Sequence, residues 1–476
     1  MQFNSILFII FLILGSSVLF FLNSKYTKYI LLLLNIIFYS YSGLNNLFII
    51  LAIAVISFYF SFVLHRKKNK KILFLTIFLT LLPLLFYKYM HFFTNSIMHL
   101  DINCTMTKHI PLGISFFTLQ IIGYLIDIYK NKYNPEPQLI NYLIFVSLFP
   151  IVVSGPIERG DSLLPQIRRL NAVKFDYKRV SEGCRLLLFG YLLKVLISER
   201  LAYIISIVYS DVNSSSGLIL LVTTFLFTIQ IYCDFCGYTY IALGAAKIIG
   251  LELTQNFNKP YISQSLTEFW TRWHIALSSW LKDYIYIPLG GNRCSKLRNY
   301  INVFIVFLIS GLWHGANWTY IVWGGLNGLI LIFERIVGLN RNKVNKFRKI
   351  LSVGFTFLTV NFLWIFFRAN TISDAILIIK KIIFESFSDL SNLTSISSII
   401  QFLRNMNLSI LYCLIAGIGI LIFCIYSFCM RKYNLPDEII NCKLLVFRWA
   451  IYIGIIFLIL TLGSTVGQNQ FIYANF

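Results

Sequence analysis

Charged residues are scarce in this sequence. They make up 13% of the 476 residues, against 58% hydrophobic residues, and the acidic residues number only 19. A soluble domain carries about 25% charged residues, so this composition excludes a water-soluble domain and a nucleic-acid-binding protein. At about 20 apolar residues for each crossing of a bilayer, the apolar content predicts a polytopic membrane protein.

Motifs of several enzyme classes are also missing. The chain contains no Gly-x-Ser-x-Gly nucleophile elbow and no P-loop, so hydrolase and ATPase functions lack support. Four of its nine Cys lie in apolar runs, and the nine do not form a disulfide framework. Cys233 and Cys236 have the spacing of half a zinc site, but no second ligand pair follows. We therefore predict apolar packing of these thiols and no bound metal.

The charge that is present is mostly basic. Lys and Arg number 41 and give a net charge of +22, in short runs typical of membrane topology and of attraction to anionic lipid. The densest run is expected on the cytoplasmic side and comprises Arg66, Lys67, Lys68, Lys70 and Lys71. Counting back through three spans places the N-terminus outside. Residues 6–22 lack a signal-peptide pattern and are expected to remain as the first span.

Apolar runs follow one another along the whole chain. They cover residues 5–22, 28–43, 46–64, 72–88, 110–128, 139–154, 186–208, 216–233, 237–250, 301–333, 349–367, 408–429 and 445–463. No internal repeat or low-complexity linker separates them. We predict one all-α integral membrane domain over 1–476, with N-terminal spans at 1–100, a core with re-entrant and amphipathic segments at 101–335, and C-terminal spans at 336–476.

Two segments depart from simple crossing helices. A full crossing by residues 139–154 would place the basic residues of 159–179 outside, against the charge rule. We therefore expect 139–154 to enter and return as a re-entrant segment that lines a cavity. Residues 251–300 interleave basic residues with Trp and Tyr, which is typical of amphipathic interfacial helices. A solvated aromatic belt is the alternative.

Of the six His, one lies inside a long apolar run. His65, His91, His99 and His109 fall at span ends or in loops, where water can satisfy them. His314 falls within 301–333, about 20 Å along a helix that starts near residue 299. An intramembrane ionisable residue is by default a functional hypothesis. The alternatives are a neutral hydrogen-bonded core residue and a general base in a dry cavity.

His274 lies in the Trp-rich segment. On a continuous helix it would share a face with Trp270, Leu277 and Ser278, and Asp283 would point away from it. Asp283 is therefore not expected to orient His274. From its placement alone, His274 fits an interfacial role and a catalytic role equally well.

Three blocks of residues carry a family resemblance. Residues 255–261, 269–291 and Gly311-Leu312-Trp313-His314-Gly315-Ala316-Asn317-Trp318 resemble the membrane-bound O-acyltransferases, and more closely their bacterial alginate O-acetylation branch. Weaker matches occur at 111–116, 123–127, 155–159 and 471–473. The chain departs from the usual family pattern at Cys236, where Ser is typical, and at Tyr240, where Asp is typical.

The resemblance implies a fold, a reaction and a place in the cell. The fold would be a bundle of about 11–13 helices with re-entrant segments around a central tunnel, in a bacterial inner or plasma membrane. Cytoplasmic acetyl-CoA would donate an acetyl group, with no bound cofactor. The acceptor would be a hydroxyl of an extracytoplasmic polysaccharide, such as an alginate-like polymer or peptidoglycan, reached directly or through a partner acyltransferase or glycan-synthesis protein.

The resemblance also implies roles for individual residues. His314 matches the catalytic His of the family and His274 its second functional His. As a general base, His314 would remove the proton of the acceptor hydroxyl. Asn317, His274 or the N–H groups near Gly315 are candidate donors to the oxyanion. Further candidates for lining the donor site or tunnel are Arg272, Trp273, Lys282, Asp283, Trp313 and Trp318.

Other functions remain open at this point. Within the family, the alternative is D-alanyl transfer to teichoic acid. From other classes, the alternatives are a glycan-precursor transporter or flippase that uses His314 as a proton relay, and a membrane scaffold. The sequence offers little for a transporter, since neither repeated halves nor several intramembrane charges are present.

Overall fold

The described part of the chain is helical. A computed structural model describes residues 1–21, 24–100, 110–170, 174–338, 346–392, 400, 410–432 and 445–463, and His109 and residues 471–473 lie outside these ranges. In chain order the α-helices α1 to α18 are Ile6–Phe21, Thr27–Ser40, Leu44–Lys67, Lys70–Leu84, Ile114–Tyr129, Leu139–Ser147, Gly160–Arg168, Tyr177–Tyr191, Glu199–Ser210, Gly217–Ile248, Leu266–Arg272, Ile275–Leu281, Lys296–His314, Trp318–Val337, Lys346–Arg368, Ile372–Asn392, Ile410–Lys432 and Leu445–Leu462.

Six helical segments within these ranges are long and apolar enough to cross a membrane. They are Leu44–Lys67, Lys70–Tyr89, Gly217–Ile248, Trp318–Val337, Phe347–Arg368 and Leu445–Leu462. The prediction of an all-α, multi-pass membrane protein is therefore confirmed. The total of 11–13 helices and the central tunnel stay predictions.

Two predicted helix boundaries were wrong. The separate apolar runs 216–233 and 237–250 form one helix, α10, so Cys233 and Cys236 lie buried inside a continuous helix. The run 301–333 is instead a hairpin, because α13 ends at His314 and α14 begins at Trp318. Asn317 produces this break as the N-cap of α14, where its Oδ1 accepts a hydrogen bond from Thr319 N–H at 3.1 Å.

Glycines allow the two helices of this hairpin to approach closely. A Cβ atom on Gly311 would lie 2.2 Å from the carbonyl oxygen of Tyr320, and one on Gly324 would lie 2.3 Å from that of Phe307. A Cβ on Gly315 would meet the ring of Tyr320 at 2.2 Å. The glycines on either side of His314 are therefore required by packing as well as by the helix end.

The two ends of the segment 136–168 lie next to each other. Its two ends are joined by an ion pair of 2.6 Å between Arg168 Nε and Glu136 Oε2. Between them α6 has nine residues, or about 13 Å, which is too short to cross a bilayer. At the reversal, Phe149 N–H donates to the Asn35 side chain at 3.0 Å. The short α6 and the paired ends agree with a re-entrant path, which stays a prediction.

The basic cluster at residues 66–71 marks one end of the helices, called here the basic face. It lies between the end of α3 and the start of α4. Lys88, 18 residues beyond Lys70, contacts the backbone of Trp313, and His314 is likewise 18 residues beyond the start of α13. At about 1.5 Å per helical residue, each of these two 18-residue stretches is about 27 Å long. His314 therefore lies far from the basic face, at a helix end and not in mid-helix as expected.

Candidate active site

His314 lies at the end of α13 in an enclosed aromatic environment. Its side chain is buried, and its imidazole centroid is 5.0 Å from that of Trp313, 5.1 Å from that of Trp323 and 5.4 Å from that of Phe367. The rings of Trp323 and Phe367 come from α14 and α15, so three helices fix the imidazole. This enclosure excludes bulk water from His314.

His274 lies in a turn between α11 and α12, which corrects the expectation of a continuous helix. Its φ is +46° and its ψ is +52°, the left-handed region that non-glycine residues rarely adopt. Trp270, Leu277 and Ser278 therefore do not form one helical face with it. Strained backbone of this kind persists only where the surroundings hold it in place, and it is concentrated at functional sites.

Asn256 holds the turn at His274 from a distant part of the sequence. Its backbone carbonyl accepts a hydrogen bond from Ile275 N–H at 3.0 Å, and its side-chain oxygen accepts one from Ala276 N–H at 3.1 Å. The next residue, Phe257, forms an antiparallel bridge with Trp273. The block 255–261, which carried part of the family resemblance, thus caps α12 and fixes His274.

The two histidines share one aromatic partner. The ring of Trp313 lies 5.9 Å from that of His274 and 5.0 Å from that of His314, between centroids. His314 is within electrostatic range of both His274 and Lys88. Sequence reasoning selected both histidines, and the structure brings them together around Trp313.

The environment of His274 keeps its imidazole neutral. His274 is buried, with Phe235 at 4.7 Å and Phe116 at 6.5 Å between ring centroids. It lies outside the membrane-spanning helices, and burial lowers its pKa to about 3. A neutral imidazole carries one N–H donor and one acceptor nitrogen, and both functions are useful beside a reacting group.

Lys88 is a residue at this site that sequence reasoning missed. Its buried ammonium group donates hydrogen bonds to the carbonyl oxygen of Trp313 and to Ser115 Oγ, the latter at 3.0 Å. The neighbouring Tyr89 hydroxyl donates to the carbonyl of Leu312 at 2.7 Å. Both side chains satisfy carbonyls at the end of α13, where intrahelical partners run out. The available signal was a lysine at the end of an apolar run.

One cavity lies beside the histidines, on the side of the basic face. This Lys282 cavity, of about 430 Å³, has Lys282 and Arg335 in its lining, together with apolar walls from α13 and α14. Ser278, one turn after His274, and Ser310, one turn before His314, also line it. Tyr284, two residues after Lys282, donates to Asp127 at the end of α5 at 2.7 Å, and Tyr124 of the same helix donates to Ser61 near the end of α3 at 3.5 Å. The guanidinium of Arg335 is held by Asn299 and by the Tyr286 hydroxyl. The cavity combines cations with an apolar wall beside the site.

A second cavity lies beyond the far side of His314. This Lys194 cavity, of about 580 Å³, is lined by Tyr320 and Phe367, whose rings separate it from Gly315 and His314. Its opposite wall carries a buried ion pair between Lys194 and Asp234, with Ser198 donating to the same carboxylate at 3.0 Å. Sequence reasoning missed this pair, because its members are 40 residues apart in the sequence and only the fold brings them together. Asp234 and Lys88 lie in spanning helices, so the expectation that several intramembrane charges are absent was wrong.

The other predicted site residues are dispersed. Arg272 pairs with Glu268 at 2.7 Å, Asp283 pairs with Arg159 at 3.0 Å, and Trp273 packs in a buried aromatic cluster with Phe257, Phe269 and Trp364. Trp318 is 46% exposed against Phe92. Of the candidates for the donor site, only Lys282 lines the Lys282 cavity, while Trp313 contacts both histidines.

Asn317 is engaged in holding the hairpin turn. Its amide nitrogen donates to the carbonyl of Asn370 at 3.1 Å, and its oxygen caps α14. Gly315 N–H donates to the carbonyl of Gly311 at 3.4 Å, a long hydrogen bond. A role for either group as an oxyanion donor stays a prediction.

Comparison with known proteins identifies the family. The model of the membrane-bound O-acyltransferase family matches residues 134–373, which include both histidines and the walls of both cavities. A probable alginate O-acetylase of Pseudomonas aeruginosa is 34% identical over 366 residues, covering 74% of this chain and 69% of the relative. The chain belongs to the membrane-bound O-acyltransferase family. It is an acyltransferase, and the resemblance seen in the sequence is confirmed.

Two further relatives place this membrane-bound O-acyltransferase within its family. A peptidoglycan O-acetyltransferase of Helicobacter pylori is 32% identical over 416 residues, covering 81% of this chain and 79% of the relative. A teichoic acid D-alanyltransferase of Streptococcus thermophilus is 27% identical over 320 residues, covering 62% of this chain and 75% of the relative. The chain is therefore more similar to these O-acetylating relatives than to the D-alanylating one.

Proposed function

We propose that the protein transfers an acetyl group from cytoplasmic acetyl-CoA to a hydroxyl group of an extracytoplasmic polysaccharide, directly or through a partner acyltransferase. The membrane would be the bacterial inner or plasma membrane. The single observation that carries the proposal is the position of the buried His314, between the Lys282 cavity and the Lys194 cavity. The similarity to O-acetylating relatives supports acetyl as the transferred group.

The Lys282 cavity suits the donor. Lys282 and Arg335 offer positive charge to phosphate groups, and Arg335 is already oriented by Asn299. The apolar wall beyond them suits a thioester arm, and Ser310 brings the cavity within one helical turn of His314. The basic cluster at 66–71 makes this the cytoplasmic side by the positive-inside rule.

The Lys194 cavity suits the acceptor. It lies on the side away from the basic face, and its polar lining includes Gln230, Asn317 and Asn370. Amide side chains of this kind donate and accept hydrogen bonds, as the hydroxyl groups of a sugar require. The aromatic rings of Phe227 and Phe367 add apolar surface to the same cavity.

The chemistry follows from two neutral imidazoles in a dry environment. His314 accepts the proton of the acceptor hydroxyl while the oxygen attacks the thioester carbonyl. The carbon–sulfur bond of the tetrahedral intermediate then breaks, and CoA leaves as a thiolate, which is a good leaving group. His274 donates its N–H to the oxyanion, and the pKa of about 3 keeps it neutral at pH 7. The imidazolium of His314 then gives its proton to the CoA thiolate, which yields the CoA thiol and returns His314 to its neutral form.

The test is acetyl transfer by the full-length protein in liposomes. Radiolabelled acetyl-CoA is added on one side, and release of CoA and label in an acceptor glycan are measured with and without candidate partner proteins. We expect CoA release that depends on the acceptor or partner and is lost in His314→Ala. If CoA is never released under any of these conditions, and His314→Ala cells retain acetylated glycan, the proposal is wrong.

A further inference from the structure

A third cavity, separate from the two at the histidines, opens between α8, α10 and residues 255–259. This Lys259 cavity has a volume of about 220 Å³ and shares no lining residue with the Lys282 cavity. It contains both positions that depart from the family pattern, Cys236 and Tyr240. Neither the reaction proposed above nor any comparison assigns it a role.

The Lys259 cavity lies toward the basic face. Just after the end of α10, the backbone of Glu252 exchanges hydrogen bonds of 2.8 and 3.0 Å with the side chain of Gln166 in α7. Two residues after Gln166, the carbonyl oxygen of Arg168 accepts a hydrogen bond from the side chain of Lys28 at the start of α2. Because only residues 41–43 separate α2 from α3, the two helices are expected to run antiparallel, which puts this end of α2 on the side of residues 66–71.

Positive charge dominates the lining of this cavity. Among its described residues are three cations and a single carboxylate, and that carboxylate, Glu182, is paired with Lys247 at 2.7 Å. Arg185 donates to Ser181 Oγ at 2.8 Å, and neither Arg185 nor Lys259 forms an ion pair with a residue in the described ranges. Both side chains are only partly exposed. Two cations at one cavity therefore lack a counter-charge from these parts of the protein.

The backbone at Lys259 is held in an unusual conformation. Lys259 has φ +49°, in the left-handed region, and is followed by Pro260. The preceding residue, Asn258, is fixed by two hydrogen bonds with Arg272. The backbone N–H of Asn258 donates to the carbonyl oxygen of Arg272 at 2.9 Å, and the guanidinium of Arg272 donates to the carbonyl oxygen of Asn258 at 3.2 Å. Such strain persists where surrounding contacts impose it. Lys259 is therefore presented to the cavity by a rigid segment.

We propose that the Lys259 cavity binds a phosphate group, with Arg185 and Lys259 as its ligands. A phosphate supplies the missing negative charge, and Arg and Lys bind it through charge-assisted hydrogen bonds. Two sources carry this chemistry on the basic face. One is the 3′-phosphate of the donor proposed above, whose diphosphate would lie at the Lys282 cavity, and this source rests on the proposed function; the other is the headgroup of an anionic lipid. Basic residues that served topology alone would require neither a shared cavity nor a fixed backbone.

The experiment uses the full-length protein in nanodiscs and two probes. The first probe is 3′,5′-ADP, titrated in neutral phosphatidylcholine nanodiscs. The second is phosphatidylglycerol, measured as enrichment in the lipid that remains with the protein after extraction from mixed vesicles. The variants are the double substitution Arg185→Gln with Lys259→Gln, and Lys130→Gln as a control with an exposed lysine outside the cavity.

We expect the double variant to bind one of the probes at least about tenfold more weakly, as loss of charged hydrogen bonds predicts, while Lys130→Gln leaves binding unchanged. Loss of 3′,5′-ADP binding identifies the nucleotide source, and loss of phosphatidylglycerol enrichment identifies the lipid source. If the double variant changes neither probe, or if Lys130→Gln weakens binding equally, the cavity is not a phosphate site.

A charge-preserving double variant separates binding from folding. Arg185→Lys with Lys259→Arg keeps both cations and is expected to retain most of the binding, with an unfolding temperature equal to that of the Gln variant. A common loss of binding in both double variants would contradict the proposal. Acetyl transfer is not measured in either arm, so failure here leaves the proposed function intact, and failure of the liposome assay leaves this site intact.

Discussion

The ammonium group of Lys88 donates a hydrogen bond to the carbonyl oxygen of Trp313, the residue that precedes His314. Because α13 ends at His314, this carbonyl is at a helix terminus, where a buried cation is favourable. Lys88 lies in a π-helical turn at residues 85–89, a distortion often found at functional sites. The end of the apolar helix α4 therefore fixes the position of the candidate base.

Replacing Lys88 is expected to affect the chemical step. Lys88→Met removes both hydrogen bonds and lets the end of α13 shift, and a misplacement of about 1 Å can lower kcat by about 100-fold. Lys88→Arg keeps the cation and its donors and is expected to recover part of the rate. Steady-state kinetics separate the effects, since we expect kcat to fall with little change in KM. Equal rates for Lys88→Met and the wild type would show that the contact is dispensable.

The cap on α12 gives a second prediction. Asn256→Ala removes the hydrogen bond to Ala276 N–H, and loss of an N-terminal cap costs about 1 kcal/mol. Thermal unfolding is expected to occur at a lower temperature, with lower acetyl transfer as His274 loses its turn. Asn258→Ala is the matched control for stability, because Asn258 contacts Arg272 through backbone atoms. An Asn256→Ala protein as stable as this control would contradict the assignment.

The packing of the α13–α14 hairpin gives a third prediction. Gly311→Ala places a Cβ 2.2 Å from the carbonyl oxygen of Tyr320, and overpacking of this kind costs about 1–3 kcal/mol. Gly354→Ala, on α15, meets nothing within 4 Å and is expected to be neutral or slightly stabilising. Unfolding temperatures of the two variants measure the difference. The hairpin geometry would be wrong if Gly311→Ala were no less stable than Gly354→Ala.

The ion pair between Lys194 and Asp234 in the Lys194 cavity gives a fourth prediction. Among the described residues, Asp234→Leu leaves the buried Lys194 with only the more distant carboxylate of Glu199, at 3.9 Å, and breaking a buried pair costs about 3–5 kcal/mol. The double variant Lys194→Met with Asp234→Leu removes both charges and is expected to regain most of the stability. Chemical unfolding of the single and double variants measures the coupling. Additive losses in the double variant would show that the two charges do not interact.

Much of the site was predictable from the sequence, and the missing parts have physical reasons. His314 stood out because a His within a long apolar run is rare. The hairpin was not predicted, although Gly315 and Asn317 are residue types common at helix ends. The turn at His274 was not predictable, because Asn256 imposes it from 18 residues earlier in the chain. Lys88 escaped notice because lysines at helix ends commonly reach solvent, and only the tertiary fold brings Trp313 to it.

The most direct test of the account is chemical rescue at His314. In proteoliposomes with acetyl-CoA, acceptor and any required partner, we expect His314→Ala to lower kcat by about 100-fold or more while donor binding is retained. Added imidazole, entering the space left by the side chain, is expected to restore part of the rate. Acetyl transfer by His314→Ala at the wild-type rate, without imidazole, would contradict the role of His314 as the general base.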